Sequence, residues 1–164
     1  MNFNSNPSIG SSGDFLKLKD KQTISGVFRG EVLEYYCKWD GKKSVKCDPT
    51  DKDSRFRFRV NFIVNENGVL KSYIWEQGPT VYNSLKSVNA DYKLESYFMK
   101  ITRHGSTMND TEYMIMPVPN GALSPEKEKI IASIQLQDLK SGLGEAQTLS
   151  PSSSIEQTEE QLPF

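Results

Sequence analysis

Between Arg55 and Phe62 the chain reads Arg-Phe-Arg-Phe-Arg-Val-Asn-Phe. Side chains on a strand alternate in direction, so Phe56, Phe58, Val60 and Phe62 share one face and Arg55, Arg57, Arg59 and Asn61 the other. If the apolar set fills a core, the arginines stand in line about 7 Å apart, a spacing comparable to the phosphate repeat of an extended single strand. The next run, Val69 to Glu76, also alternates, with Leu70, Ser72 and Ile74 against Lys71, Tyr73 and Trp75. With the second set outward, cations lie beside flat aromatic rings. The cations attract phosphate and the rings stack on bases, each stacked base contributing about 1–3 kcal/mol. The reverse assignment stays open. Tyr73 and Trp75 are then core, Leu70 and Ile74 lie outside, and the arginines only solvate a sheet face.

A second group of the same chemistry precedes the arginines. Tyr36, Lys38, Trp39, Lys42, Lys43 and Lys46 lie at the end of a long apolar-aromatic run and in the polar stretch after it. Tyr36 and Trp39 are candidates to stack bases, and Lys42, Lys43 and Lys46 to meet phosphate. Tyr36 could equally be buried, and the lysines could serve only to keep the loop soluble. Arg103 and His104 are a further, more remote pair.

Catalytic chemistry finds less support. His104 is the one histidine and has no recognisable nucleophile or metal partner in the sequence. No Gly-Lys-Ser phosphate loop occurs, and Cys37 and Cys47 supply two possible ligands where a structural zinc site takes four. The expectation is a protein that is not an enzyme and carries no cofactor and no metal. Without an export signal, the two thiols are expected to be reduced and the protein cytoplasmic. No apolar run approaches the roughly 20 residues of a membrane span.

The charge is unevenly spread. The 164-residue chain carries a net −1, but through Lys140 the balance is +3, and beyond it lie Glu145, Glu156, Glu159 and Glu160 with no basic residue. A basic body with an acidic tail is a pattern found among nucleic-acid proteins. Residues 1–14 are rich in Asn, Ser and Gly and read as a flexible arm. Residues 15–140 read as one domain, and 141–164 as a disordered tail.

The elements that must position these groups follow from periodicity and turn residues. One long strand, bent at Gly26 and Gly30, fits Lys21 to Trp39. A polar loop covers Asp40 to Ser54, the arginine strand follows, and Asn67-Gly68 marks a tight hairpin into the third strand. Val81, Leu85 and Val88 have helical spacing after Pro79. A fourth strand fits Glu95 to Arg103, a fifth Thr111 to Val118, and a second helix runs from Pro125 to about Leu139 with Ser124 as its N-cap. Five strands with a helix between the third and fourth, mainly β, is the order of the OB-fold, a partly open Greek-key barrel. A sandwich would usually contain more strands.

The final residues, Thr158-Glu159-Glu160-Gln161-Leu162-Pro163-Phe164, resemble the acidic tip of bacterial single-stranded-DNA-binding proteins. Here Glu159 and Glu160 would steer toward a basic pocket, with Leu162, Pro163 and Phe164 as the apolar anchor. Leu stands for the usual Ile. In the body, Phe15-Leu16-Lys17-Leu18-Lys19-Asp20, Glu76-Gln77-Gly78-Pro79-Thr80-Val81-Tyr82, Lys100-Ile101-Thr102-Arg103-His104-Gly105-Ser106 and Thr111-Glu112-Tyr113 are similar to single-stranded-DNA-binding proteins of tailed bacteriophages. The resemblance runs from about Phe15 to Pro119. It implies an OB-fold that coats and protects single-stranded DNA in replication, recombination or repair, within a bacterial host's cytoplasm. The tip would recruit replication or recombination proteins such as a polymerase, helicase, primase or nuclease. Some relatives carry a cysteine-rich zinc loop after the first strand, but this chain has only Cys47 after Cys37, so zinc does not carry over. Oligomeric state is left open, a homo-oligomer included. The rival reading is an OB-fold module for protein or RNA partners without a DNA-coating role.

Overall fold

A long antiparallel strand, β1 (Thr23–Trp39), is the spine of the fold. The computed structural model describes residues 14–107, 109–140 and 143. After β1 come β2 (Ser44–Lys46), β3 (Arg55–Glu66), β4 (Val69–Gln77), α1 (Pro79–Asp91), β5 (Tyr97–His104), β6 (Glu112–Ala122) and α2 (Pro125–Ala132). The strands form one mainly β, six-stranded antiparallel sheet in the order β4-β3-β1-β5-β6, with the short β2 paired to the end of β1.

β1 is an interior strand, with β3 along one edge and β5 along the other. Its pairing with β3 slips between Arg29 and Leu33, where Gly30 adopts φ +82°, a left-handed conformation that favours glycine. Nearby, a Cβ on Gly26 would sit 2.3 Å from the Ile63 carbonyl oxygen, so only glycine allows β1 and β3 to approach there. Gly30 marks the irregularity expected from the sequence, whereas at Gly26 the pairing continues in register and the glycine serves the close approach alone. The β3–β4 hairpin turns on Asn67 (φ +53°) and Gly68 (φ +89°), two successive left-handed residues as a tight hairpin demands.

The main core lies on one side of the sheet. Phe28, Phe58, Val60, Phe62, Trp75, Met99 and Ile101 are buried there, closed by Val81 and Leu85 of α1 and by Leu18. Helix α1 starts at Pro79, whose missing N–H suits a first turn, and Val81, Leu85 and Val88 pack on this core as their spacing predicts. The segment before β1 is built in as well. Leu16 N–H donates to the Ile74 carbonyl (2.8 Å) and Ile74 N–H to the Asp14 carbonyl (2.8 Å), and Lys21 and Gln22 pair with Arg103 of β5.

A smaller core lies on the opposite side of the sheet. Val27 and Ile63 are covered there by Ile131 of α2 with Ile134 and Leu136. Ser124 caps α2 as expected, accepting from Lys127 N–H at 3.2 Å. The helix is shorter than the sequence predicts: it stops at Ala132, not near Leu139. The Ser133 hydroxyl donates to the Ile130 carbonyl (2.7 Å), a local bond that competes with helix continuation. Residues 134–138 then run without helical structure as a strap over β3 and β4. A periodic apolar pattern fits either conformation, and the strap is set by tertiary contacts. The polar loop after β1 also contains β2, held by the pairing of Trp39 with Ser44.

Candidate nucleic-acid interface

Strand β3 alternates as its sequence demands, with Phe58, Val60 and Phe62 buried in the main core and Phe56 packed against it. The opposite face presents Arg55, Arg57, Arg59 and Asn61, but the three arginines do not form an equivalent row. Arg59 is 6% exposed. Its Nε donates to Glu76 Oε1 (2.6 Å) and its Nη1 to the Leu139 carbonyl (2.8 Å). The Phe15 and Tyr35 rings lie 4.9 and 5.5 Å from its guanidinium carbon. Arg59 is thus corrected from a phosphate contact to a buried structural cation, because its position lies beneath the strap. Arg57 is half-buried and reaches Glu76 Oε2 at a loose 3.4 Å. Arg55 is exposed, and its guanidinium has no hydrogen-bond or ion-pair partner among the described residues.

Glu76 is the centre of this arrangement. Burial pushes its carboxyl up. Hydrogen bonds from Tyr35 and Arg59, with the charges of Arg59 and Arg57, outweigh that and hold it below the usual carboxylate range. Burial, and then its hydrogen bond to the Glu76 carboxylate, raises the Tyr35 phenol.

On β4 the register decides against the outward aromatic set. Val60 pairs with Trp75 and Phe62 with Tyr73, so these side chains share the core side of the hairpin. Trp75 is 1% exposed, with ring centroids 6.0 Å from Phe28, 6.4 Å from Phe58 and 5.5 Å from Tyr113. It cannot stack on a base from there, and the expectation that it did is overturned. The largest apolar side chain gains most by burial. Tyr73 is also packed against the core, and its hydroxyl donates to Glu66 (2.6 Å). Burial, then that bond, pushes its phenol up to about 12. Lys71 pairs with Asp14 (2.8 Å) and lies over the Tyr73 ring. Together they make no open cation–aromatic platform. The outward face of β4 carries Ser72, Ile74 and Glu76 instead, beneath the strap and Phe15.

Two other expected contacts are likewise engaged inside the fold. Arg103 donates to the carbonyls of Leu18 and Gly105 and to the Thr111 hydroxyl, so it ties β5 to the segment before β1. Tyr36 is half-buried on the core side, edge-on to Phe56 at 5.7 Å, with Phe56 edge-on to Tyr82 at 4.9 Å. His104 is exposed at the end of β5.

The end of the sheet at the β1–β3 loop is different. Trp39 is 59% exposed, and Lys42, Lys43 and Lys46 are exposed in the loop that follows. The Asp40 carboxylate accepts from the backbone N–H of Lys42 (2.8 Å) and Lys43 (2.9 Å), which fixes the turn and holds its own carboxyl low. Lys38 pairs with Asp51 at 3.4 Å. Trp39 and Arg55, with Asp53 and Ser54, line an open recess of about 490 Å³. A second cavity of about 250 Å³ lies between the β1 bend and α1, floored by Phe28, Phe58, Val60 and Leu85, away from this cluster.

The structure therefore brings together Trp39, Arg55, Arg57 and the loop lysines, and separates from them Arg59, Lys71, Tyr73, Trp75 and Arg103. Glu159, Glu160, Leu162, Pro163 and Phe164 lie outside the described residues. Cys37 is buried and Cys47 half-buried; both are free thiols, pushed up first by burial. Among the described residues no group of three or more His, Cys, Asp or Glu is placed to hold a metal ion. Sequence reasoning missed Phe15, Tyr35, Glu76, Asn61 and Asp53. The first four matter through long-range contacts with no local signal, and Asp53 looks like any other loop charge. Compared with known families, characterised proteins and solved structures, the chain has no significant match in any of the three.

Proposed function

We propose that the chain binds single-stranded DNA without strong sequence preference, through the end of the sheet that carries Trp39, Arg55 and Arg57. The observation that carries the reading is an indole more than half exposed, beside a guanidinium without a partner among the described residues and next to three exposed lysines. An exposed ring offers a stacking surface and the cations offer phosphate contacts, the two requirements of sequence-tolerant single-strand binding. The finer fold assignment belongs to the same reading. The strand order, the helix between β4 and β5, and the contact of Trp75 with Tyr113 between the outermost strands β4 and β6 support an OB-fold barrel. The acidic tip would serve as a docking peptide for replication, recombination or repair proteins, with no chemistry performed on the DNA.

The test uses the two tryptophans. Titration with oligo-dT should quench the exposed Trp39 and leave the buried Trp75 unaffected, and affinity should fall steeply with salt as condensed counterions are released. Absence of quenching, or affinity that ignores salt, overturns the reading.

A further inference from the structure

We infer that the recess formed by Trp39, Asp53 and Arg55 is a base-reading subsite that takes guanine, an inference that rests on the single-strand binding proposed above. Its chemistry is unlike a phosphate site. A carboxylate at Asp53 repels phosphate, so a strand lying here must turn a base, not its backbone, into the recess. Neither Asp53 nor Arg55 has a side-chain hydrogen bond or ion pair among the described residues, so an acceptor pair and a donor fork remain available beside the indole.

Position adds to the argument. The loop before Arg55 is fastened from within: Thr50 donates to Asp48 through its N–H (2.9 Å) and hydroxyl (2.7 Å). Ser54 N–H reaches the Asp51 carbonyl (3.1 Å) and its hydroxyl the Pro49 carbonyl (2.9 Å). Asp51 is in turn held by Lys38. Asp53 sits between anchored neighbours, so less ordering is required when a ligand arrives.

The functional groups then select among bases. A carboxylate offers two acceptor oxygens side by side. Guanine alone places two donors, N1–H and the N2 amino group, next to each other on its Watson–Crick edge. Its O6 and N7 are the acceptor pair that an arginine fork grips. Cytosine and adenine offer the carboxylate one amino group with a ring acceptor beside it. Thymine offers one N–H flanked by carbonyls that face the second carboxylate oxygen. The indole stacks on any of them, so the subsite adds a modest preference to otherwise tolerant binding.

The experiment titrates the full chain with oligo-dT of one length and with the same oligomer carrying one central dG, dA, dC or deoxyinosine. The dG oligomer is expected to bind roughly tenfold more tightly than oligo-dT. Deoxyinosine, which lacks the N2 amino group, should lose most of that gain, and Asp53→Ala should bring the dG-to-dT ratio close to one. Equal binding of all the oligomers overturns the subsite while leaving single-strand binding in place. A dG preference that survives Asp53→Ala overturns the assignment to Asp53. No binding to any oligomer overturns this inference together with the function on which it rests.

Discussion

Arg55 and Arg59 stand on the same face of the same strand, yet they do different work. Arg59 lies where Phe15, Tyr35 and Leu139 close over the sheet, and its charge is balanced by a buried carboxylate. Arg55 lies beyond the strap, beside an exposed tryptophan and a lysine-bearing loop. The difference shows that cover, not residue type, decides whether a cation on a strand holds the fold together or remains available to a ligand. Each end also has its tryptophan: Trp75 sits inside, across the hairpin from the Arg59 end, and Trp39 outside at the other.

This contrast can be broken from either side. Arg59→Ala leaves Glu76 buried without its closest cation and should cost about 3–5 kcal/mol of stability; Trp75→Ala should cost a similar ~3–5 kcal/mol through the cavity it opens. Urea midpoints check both. Arg55→Ala and Trp39→Ala, by contrast, should move stability by no more than about 0.5 kcal/mol. If all four variants shifted the midpoint alike, the division of the row would be wrong.

Binding should show the opposite order. Trp39→Ala is expected to weaken oligo-dT binding by about 1–3 kcal/mol and to abolish the fluorescence quench. Arg55→Ala should weaken binding of a dG-containing oligomer more than of oligo-dT, and Lys43→Ala should reduce the salt slope by about 1. Folded Arg59→Ala protein, in conditions that keep it native, should retain the salt slope of the parent.

The Glu76 cluster adds a pH signature. Its carboxyl is held below 4.5 in the fold, so it contributes stability that is complete above the ordinary carboxylate range and is lost as pH falls through the lower folded value. Urea midpoints measured from neutral pH downward should therefore fall, and the fall should be shallower in Glu76→Gln. Equal pH dependence in the two proteins would remove Glu76 as its source.

The smallest effect concerns the tail. Leu139 is held on Arg59, and the sequence beyond Lys140 carries four glutamates without a compensating base. Deleting Gln157–Phe164 is expected to tighten oligo-dT binding a few-fold at low ionic strength, with the difference shrinking as salt screens the tail. Affinities of full and shortened chains at two salt concentrations check this.

Much of the fold was legible because its signals are local. Alternation fixed the faces of β3, Asn67-Gly68 fixed the hairpin, and Gly30 marked the irregularity in β1. The two faces of β4 were not separable, since Leu70 and Ile74 are as apolar a pair as Tyr73 and Trp75, and only the pairing of Trp75 with Val60 decides between them. At the candidate site, exposure of Trp39 and the loop lysines could be anticipated. The loss of Arg59 could not, because it depends on a strap far along the chain whose backbone is read by Asn61. That amide accepts from Gln137 N–H (2.7 Å) and donates to its carbonyl (3.1 Å), doing for the strap what a neighbouring strand would do.

The meeting of Phe15 and Leu139 on one guanidinium has a topological consequence. The two ends of the described body converge at a single point of the surface, so a short peptide could join them with little distortion. New ends opened at the exposed Asn67-Gly68 turn would then give a circular permutant with the same sheet order. In such a molecule Trp39 and Arg55 would keep their neighbours, while whatever is attached to the new ends would leave from the tip of the β3–β4 hairpin.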